Sequence, residues 1–457
     1  MQSNNSARMS YSESFRMGLS HMTFKRITTV FVTILLTACQ LSCNLIPKAK
    51  QDSQQQDPQV RNSLSFRITW KDYSGRGQAI QKIVDVYNQN NSDQARIQLI
   101  SGDEDMAAIQ VLLETNSETI YVLPYRFTQY FGSKGLLTDL TGEFKEEASL
   151  FYPSVWELGM VESSVYGIPW IGHSMCLLYN ESLLEEAGVD PESIVDLNSF
   201  VSALTAVEEN TDAMGIGLVG ADGNDVSWMV NQFIYGFGGK LVNKTGDKVL
   251  INSQESADAI NFYKNVLGAH AQSSWTKDTG TEVMKYFLNQ EVAFEIQGIW
   301  GISDIHKNGS PFKVGVIPLK QIGVCSEIGP MMLAIPKNMS EQAKQQSIAF
   351  IRYMISIDAQ QAILNGEYSP ERDNYYPFRT PIRKDMANAP LMQMNPIYQV
   401  FIEGFDNPSI DVPIPEWQAI KEQYYEPGLH SVMIGAITTK AFLQMMETEG
   451  NKALAVH

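Results

Sequence analysis

The sequence is short of cysteine and histidine, and this scarcity excludes several classes of protein. Its 457 residues contain four cysteines, Cys39, Cys43, Cys176 and Cys325, which are too few for a disulfide-rich scaffold. A single bridge between Cys176 and Cys325 stays open at this stage, with two buried thiols as the alternative. The six histidines are scattered without metal-ligand spacing, so we expect neither a metal nor a cofactor.

Basic residues are also scarce relative to acidic ones. The chain has 34 lysines and arginines against 51 aspartates and glutamates, which gives a net charge of −17. A surface of this sign repels nucleic acid and other polyanions at long range, so we expect no nucleic-acid partner. The overall charge does not exclude an anionic ligand held by a local arginine.

The apolar run near the N-terminus is too short to span a bilayer. It covers residues 27–38, ITTVFVTILLTA, whereas a spanning helix takes about 20 apolar residues. Lys25 and Arg26 precede the run and small residues end it, which is typical of a secretion signal. We therefore predict a signal peptide over residues 1–38, with Met17 and Met22 as alternative translation starts.

The end of this run, Leu-Thr-Ala-Cys, resembles the lipobox of bacterial lipoproteins. The resemblance implies cleavage before Cys39 and a lipid on its sulfur. The alternatives are an ordinary signal peptide, or use of Cys43, which has Gln40 where a lipobox has leucine. Residues 39–62 are polar and predict a flexible tether. The expected location is the periplasmic or extracellular face of the cell membrane.

From residue 64 onward, strand-like and helix-like patterns alternate. LSFRITW, RIQLI and TIYVLP predict strands, and Ile80, Ile83, Val84 and Tyr87 share one face of a predicted helix. Further helices are expected to begin at capping pairs, Asn252 with Glu255 and Asp358 with Gln361. This alternation indicates an α/β fold with largely parallel sheets.

The stretch AFEIQGIWGIS, residues 293–303, predicts a half-buried strand that runs into a tryptophan between glycines. Trp300 either fills a core or faces a ligand. Flanking glycines cover an aromatic ring poorly and let a ligand approach closely, so we favour the ligand.

Several segments, in order, resemble one family, the extracellular solute-binding proteins of ABC importers, in the carbohydrate-type group that includes maltose-binding protein. ITWKDYSGRGQAIQKIVDVYNQNN resembles its opening strand, ligand loop and first helix. VYGIPWIGHSMCLLYNESLLEEAGVDP, NQFIYGFGGKLVN, VAFEIQGIWGI and MMLAIPKNMSEQAKQQSIAFIRYMIS resemble later parts. Together they extend over nearly all of residues 64–440.

The resemblance implies a two-lobed periplasmic-binding-protein fold with crossing hinge strands and a C-terminal helical segment. Crossings are expected near residues 168–172, 317–330 and 366–380. Residues 63–168 and about 325–368 would form lobe 1. Residues 169–324 and about 369–457 would form lobe 2.

The resemblance also implies where a ligand would bind. Sugars offer hydroxyl groups at their edges and C–H groups on their faces, which suit aromatic rings and a few fixed polar groups. The expected ligand-binding residues are Trp70, Asp72, Tyr73, Tyr125, Trp170, Trp228, Gln232, Tyr235, Trp300, Arg379, Arg383 and Trp417. Arg126 lies beside this set. Each has a structural alternative: a tryptophan can pack in a core, Asp72 can cap a turn, and the arginines can form surface ion pairs.

We predict a solute receptor and not an enzyme. No G-x-S-x-G motif occurs, and YSGRGQAI lacks the third glycine of a dinucleotide motif. The expected function is capture of a carbohydrate by a lipid-anchored monomer and its delivery to ABC permease subunits. The alternatives are a receptor for glycerophosphodiesters or another phosphorylated solute, a secreted glycan-processing enzyme, and a surface protein that no longer binds a ligand.

Overall fold

A computed structural model describes residues 62–103, 105–115, 118–369, 373–412 and 414–455. The predicted signal peptide, Cys39 and nearly all of the tether lie outside the described residues. Within the described part of the chain, no helix combines the length and apolar character needed to cross a membrane.

The strands, in chain order, are β1 (Ser63–Ile68), β2 (Arg96–Ser101), β3 (Thr119–Pro124), β4 (Met160–Val161), β5 (Ser164–Val165), β6 (Ile168–Ile171), β7 (Met175–Asn180), β8 (Met214–Gly217), β9 (Val292–Gly298), β10 (Val314–Ile317), β11 (Ser326–Glu327), β12 (Met331–Ala334), β13 (Glu367–Ser369), β14 (Asn374–Tyr376) and β15 (Pro408–Ser409). The strands predicted over LSFRITW, RIQLI and TIYVLP correspond to β1, β2 and β3.

The α-helices are α1 (Gly75–Asn90), α2 (Met106–Thr115), α3 (Tyr125–Ser133), α4 (Pro153–Trp156), α5 (Glu181–Glu186), α6 (Leu197–Asn210), α7 (Asn224–Gly236), α8 (Gln254–Asn261), α9 (Gly280–Leu288), α10 (Ile299–Lys307), α11 (Glu341–Met354), α12 (Ile357–Asn365), α13 (Pro390–Met394), α14 (Pro396–Ile402), α15 (Trp417–Ile420), α16 (Glu426–Met433) and α17 (Thr439–Leu454).

The two larger sheets each form the centre of a lobe. The first has the strand order β2-β1-β3-β12-β6 and the second β10-β7-β9-β8. Each sheet has its own buried hydrophobic cluster, around Phe66 and Phe350 in one case and around Phe200 and Phe294 in the other. We call each sheet, with the helices packed on it, the first lobe and the second lobe. The predicted α/β, two-lobed fold class is confirmed, and α15–α17 are the expected C-terminal helical segment.

The chain crosses between the lobes where short strands change sheet. It leaves the first sheet after Ile171 and enters the second at Met175, and it returns between Ile317 and Met331. A third segment holds the β13–β14 hairpin and ends at Thr380, whose N–H donates to the Gly172 carbonyl at 3.0 Å.

The expectation of largely parallel sheets is wrong for the second sheet. There β7 pairs antiparallel with both β9 and β10, and the parallel pair is β8 with β9. In the first sheet, β12 also runs antiparallel to both neighbours. Strands that enter a lobe from a crossing run against strands that arrive through a helix, which gives mixed sheets.

Local signals account for most helix boundaries, with two corrections. The predicted inner face of α1 is buried, and Asp196 caps α6 through the Ser199 N–H. However, Ser253 caps α8 in place of Asn252, and Ser356 caps α12 in place of Asp358. Both serines have the extended backbone that places a hydroxyl on the third helical N–H. Asn252 lies one residue before that position, and Asp358 lies inside the helix.

Candidate functional site

Five side chains meet where the two lobes face each other, and we call them the cleft group. They are Trp70, His173, Trp228, Trp300 and Arg379. Trp70 lies two residues beyond β1 of the first lobe, and Trp300 is the second residue of α10, directly after β9 of the second lobe. Both therefore follow the carboxyl end of a strand, which is where open α/β sheets bind ligands.

The guanidinium group of Arg379 connects the tryptophans of the two lobes. Its Cζ atom lies 5.1 Å from the ring centroid of Trp70 and 5.0 Å from that of Trp300. These distances are within the range of cation–π attraction. The Arg379 Nη1 atom also donates to the Phe378 carbonyl at 2.7 Å, which holds the side chain near the crossing segment.

His173 packs between the two tryptophans of the second lobe. Its ring centroid lies 5.1 Å from Trp300, edge to face, and 5.6 Å from Trp228. Burial, together with the positive charges of Arg379 and Arg126, lowers the pKa of His173 to about 3. The imidazole is therefore neutral at physiological pH. Its Nε2 atom has no hydrogen-bond partner among the described residues.

A cavity of about 410 Å³ adjoins Trp228 and Trp300. Its apolar wall includes Ile216 and Met284, and its polar lining includes Asp225, Gln297, Asp304 and, from α1 of the first lobe, Arg76. An apolar wall with a few polar groups is the usual composition of a small-molecule site, and the volume lies within the usual range for such sites.

The glycine before Trp300 allows the tryptophan ring to fold back on its own strand. A Cβ atom on Gly298 would lie 2.0 Å from the Trp300 ring, which no side chain could tolerate without displacing it. The strand itself, β9, is buried along its whole length, including Glu295 and Gln297, so the half-buried prediction for this strand is wrong. Of its polar positions, Glu295 has no exposed surface, and Gln297 lines the cavity.

Asp72 and Tyr73, predicted to bind ligand, lie at an exposed turn in this structure. The Asp72 N–H donates to the Ser101 hydroxyl at 2.8 Å, and the Asp72 carboxylate accepts from the Tyr73 N–H at 2.9 Å. Tyr73 is 76% exposed. In this conformation Asp72 makes the turn contacts that its structural alternative expects, and both residues lie outside the cleft group, so that their ligand contacts stay predictions.

Trp170 and Trp417 lie in hydrophobic cores and not at the cleft surface. Trp170 is fully buried on β6, with its ring 5.6 Å from Phe66. Trp417 is 2% exposed, and its indole N–H donates to the Asp411 carboxylate at 2.9 Å. In this conformation the burial of both tryptophans leaves no ring face open to a ligand, and their expected ligand contacts stay predictions.

The guanidinium group of Arg383 is hydrogen-bonded to residues near it. Its Nε and Nη2 atoms donate to the two oxygens of Asp385 at 2.9 and 2.6 Å, and Nη1 donates to the Ile355 carbonyl at 2.6 Å. The side chain is buried, and this fork fixes the chain after the third crossing. The structure does not bring Arg383 to the cleft group.

Two further predicted residues, Tyr125 and Gln232, form buried polar contacts between chain segments, and a third, Tyr235, is partly buried near them. The Tyr125 hydroxyl donates to the Asp411 carbonyl at 3.2 Å, and the Gln232 side-chain oxygen accepts from the Glu327 N–H at 3.0 Å. Tyr235 is partly buried on α7, and burial with the negative charge of Asp411 raises its pKa. Tyr125 and Gln232 therefore connect chain segments in this conformation, and their role as ligand contacts stays a prediction.

Two buried carboxyl groups were not anticipated. Glu295 on β9 and Glu327 on β11 are both fully buried, and their oxygens have no hydrogen-bond partner among the described residues. Burial raises the pKa of each well above its usual value, with Asp304 adding to the shift at Glu295 and Asp411 at Glu327. Sequence offered no signal for Glu295, because alternation assigns its position to a solvent face, and Glu327 lies in a strand of two residues, too short to show a pattern.

Neither a disulfide bond nor a metal-binding group is found among the described residues. Cys176 and Cys325 are free and buried, so the bridge left open by the sequence is absent between them here. Among the described residues, no group of three or more His, Cys, Asp or Glu side chains could hold a metal ion.

Comparison with known proteins gives a consistent family. The family model for bacterial extracellular solute-binding proteins matches residues 82–399. The diacetylchitobiose binding protein DasA of Streptomyces coelicolor is 27% identical over 141 residues, which cover 31% of this chain and 32% of the relative. The arabinooligosaccharide-binding protein of Halalkalibacterium halodurans is 24% identical over 203 residues, 44% of this chain and 42% of the relative. The chain thus matches about a third to two-fifths of the length of these relatives.

Solved structures share the fold over nearly their whole length. Maltose-bound MalE3 of T. maritima superposes with a TM-score of 0.74 at 18% identity, covering 86% of this chain and 99% of that one. UgpB of Mycobacterium tuberculosis, solved with glycerophosphocholine, gives a TM-score of 0.70 at 15% identity, covering 86% and 98%. At these identities the likeness establishes the fold alone. The family match covers most of the chain, which therefore belongs to the bacterial extracellular solute-binding proteins.

Proposed function

We propose that this protein captures a carbohydrate between its lobes and delivers it to the permease of an ABC importer. The observation that carries the proposal is the meeting of Trp70 and Trp300, from different lobes, around one guanidinium group. Flat aromatic faces on both sides of a cleft suit the C–H faces of a sugar ring. The cavity beside Trp300 has room for a small saccharide.

The names of the relatives guide the choice of sugars. The names of the two relatives specify diacetylchitobiose and arabino-oligosaccharides, and one solved neighbour has maltose bound. A panel of these saccharides with a neutral monosaccharide series is the direct test, by titration calorimetry and thermal shift. A receptor with a micromolar dissociation constant binds with about −8 kcal/mol. A 100-fold excess of ligand should then stabilise the fold by about 2.7 kcal/mol.

Trp300→Ala is the site variant for this test, and Trp156→Ala is its matched control. Trp156 is likewise partly buried, but it stacks on Phe151 at 5.7 Å in the first lobe and does not line the cavity. We expect Trp300→Ala to weaken sugar binding at least tenfold and Trp156→Ala to leave it unchanged. An absence of binding across the whole panel would overturn the carbohydrate assignment.

A phosphorylated solute is the second candidate, favoured by the two arginines whose positive charges act on His173. A neighbour with this fold was solved with glycerophosphocholine. Strongly salt-dependent binding of glycerophosphocholine, lost on Arg379→Ala, would favour this solute over a neutral sugar. Incubation with the same oligosaccharides, followed by product analysis, tests for turnover and so for a glycan-processing enzyme.

The membrane anchor and the oligomeric state are further parts of the proposal. Lipidation of Cys39 would hold a monomeric receptor on the outer face of the cell membrane, close to its permease. Mass spectrometry of the purified protein should show a diacylglycerol-modified N-terminal cysteine at position 39. The Cys39→Ser variant should lose this mass and leave the membrane fraction.

A further inference from the structure

Four charged side chains form a ring at the border of the lobes, and we call them the charge clasp. They are Arg76 on α1, Glu367 on β13, and Asp304 and Lys307 on α10. Arg76 and Glu367 belong with the first lobe, because a Cβ atom on Gly75 of α1 would lie 2.3 Å from the Glu367 Oε1 atom. Asp304 and Lys307 lie one turn apart in the second lobe.

Opposite charges alternate around the clasp. Across the lobes, the Arg76 Nη2 atom lies 3.6 Å from the Asp304 Oδ1 atom, and the Lys307 Nζ atom lies 2.9 Å from the Glu367 Oε2 atom. Within the lobes, Arg76 lies 3.4 Å from Glu367, and Lys307 lies 2.9 Å from Asp304. Each lobe thus brings one cation and one anion that are already paired with each other.

This arrangement allows the lobes to separate while each of the four charged side chains keeps an ion-pair partner. Separation of the lobes breaks the two pairs between lobes and leaves the two pairs within lobes intact. The large penalty for an unpaired buried charge therefore does not arise. The four side chains are partly shielded, between 9% and 27% exposed, so that salt screens their attraction less than it screens a fully exposed pair.

The clasp borders the cavity described above. Arg76 and Asp304 belong to the cavity lining, whereas Lys307 and Glu367 lie outside it. We propose that the charge clasp favours the closed arrangement of the lobes before any solute is bound, and that it thereby sets how readily the site admits and releases solute. The inference rests on the proposed function only in that this site is taken to be the solute site.

Hydrogen–deuterium exchange of the full chain, without solute, measures the opening directly. The reporting segments are residues 70–77 and 299–308, which contact each other across the lobes through Arg76 and Asp304. Lys307→Gln removes an attraction to Glu367, and Lys307→Glu replaces it with repulsion. We expect exchange in both segments to rise about fivefold in Lys307→Gln and further in Lys307→Glu, the scale expected for a partly exposed ion pair.

Lys313 supplies the matched control. Its Nζ atom lies 2.7 Å from the Glu181 Oε2 atom, and both residues belong to the second lobe. Lys313→Gln and Lys313→Glu make the same charge changes without touching a contact between lobes. We expect them to leave exchange in the two segments at the wild-type level. Equal exchange in the Lys307 and Lys313 variants, or wild-type exchange in Lys307→Glu, would overturn the proposal.

Salt gives an independent measurement on unchanged protein. Raising the ionic strength from 0.1 M to 1 M shortens the screening length from about 10 Å to about 3 Å. Exchange in the two segments should rise in the wild type and rise less in Lys307→Gln, which has already lost one of the two pairs between lobes together with the Lys307–Asp304 pair within the second lobe. Equal rises would count against the clasp. Because no solute is present, a negative result here leaves the carbohydrate proposal standing, and a failed sugar panel leaves this result standing.

Discussion

The Arg379 guanidinium carbon lies 5.0 Å from the centre of the Trp300 ring, over a face that is also proposed to receive the solute. If the solute binds there as proposed, the cation would be part of the surface that it meets, beside a sugar ring or paired with a phosphate. This relationship makes Arg379 the residue whose substitution best separates the two solute classes.

Arg379→Gln removes the charge and keeps a polar side chain. For a neutral saccharide we expect the dissociation constant to change by less than about tenfold, since aromatic contacts and hydroxyl hydrogen bonds remain. A phosphorylated solute would lose its charge-assisted hydrogen bonds, and its affinity should fall at least 100-fold. Titration calorimetry with the bound members of the panel measures the change, and Arg383→Gln, outside the cleft group, shows the effect of losing an arginine elsewhere.

His173 should make the folded state less stable in mild acid. Its folded pKa of about 3 lies below the ordinary value near 6.5, so at intermediate pH the unfolded chain binds a proton that the folded chain does not. Between pH 8 and pH 5 the wild type is expected to lose about 2 kcal/mol more unfolding free energy than His173→Gln. Urea unfolding at both pH values tests this, and parallel losses in the two proteins would contradict it.

Glu327 should make the folded state less stable as pH rises, which is the opposite of the effect of His173. Its pKa is raised in the folded state, so above pH 5 the unfolded chain has released a proton that the folded chain retains, and stability falls as pH rises. Glu327→Gln mimics the protonated carboxyl group. At pH 8 the variant should be as stable as the wild type or more so, with the advantage shrinking toward pH 4. A loss of several kcal/mol at pH 8 would show that the charged form is needed.

Replacement of Trp170 and of Trp300 by alanine should lower the free energy of unfolding by different amounts. Trp170→Ala empties a fully buried position and should lower the free energy of unfolding by about 3–5 kcal/mol. Trp300→Ala removes a partly exposed ring at the cleft and should cost about 1 kcal/mol. Urea denaturation distinguishes the two. If the two variants lost equal unfolding free energy, Trp300 would be a packing residue, and the proposal that the cleft group binds solute would lose its main support.

Local patterns were sufficient for much of the fold. The inner face of α1 and the cap at Asp196 follow from residues close in sequence, and the structure confirms both. Capping at Ser253 in place of Asn252 was not predictable, because adjacent residues can both cap and only the backbone path decides. The prediction of largely parallel sheets was wrong for a similar reason, since the direction of a strand depends on which segments cross between the lobes.

The site was predictable only where the family resemblance named single residues. Trp70, Trp228, Trp300 and Arg379 were named from the sequence and meet in the structure. Trp170 was also named, but its burial depends on Phe66, which is about a hundred residues away in the sequence and 5.6 Å away in space. His173 was not among the predicted ligand-binding residues, since its contacts with Trp228 and Trp300 depend on residues far away in the sequence. The exact lobe boundaries stay predictions.

The self-paired charges of the clasp have a consequence for the habitat of the protein. Because opening breaks only the Arg76–Asp304 and Lys307–Glu367 contacts, the dissolved salt around the cell would tune the receptor by small, graded steps. In dilute water the closed arrangement would be favoured and solute retained for longer. In brine the same molecule would exchange its solute faster, with no change in a single residue of the site.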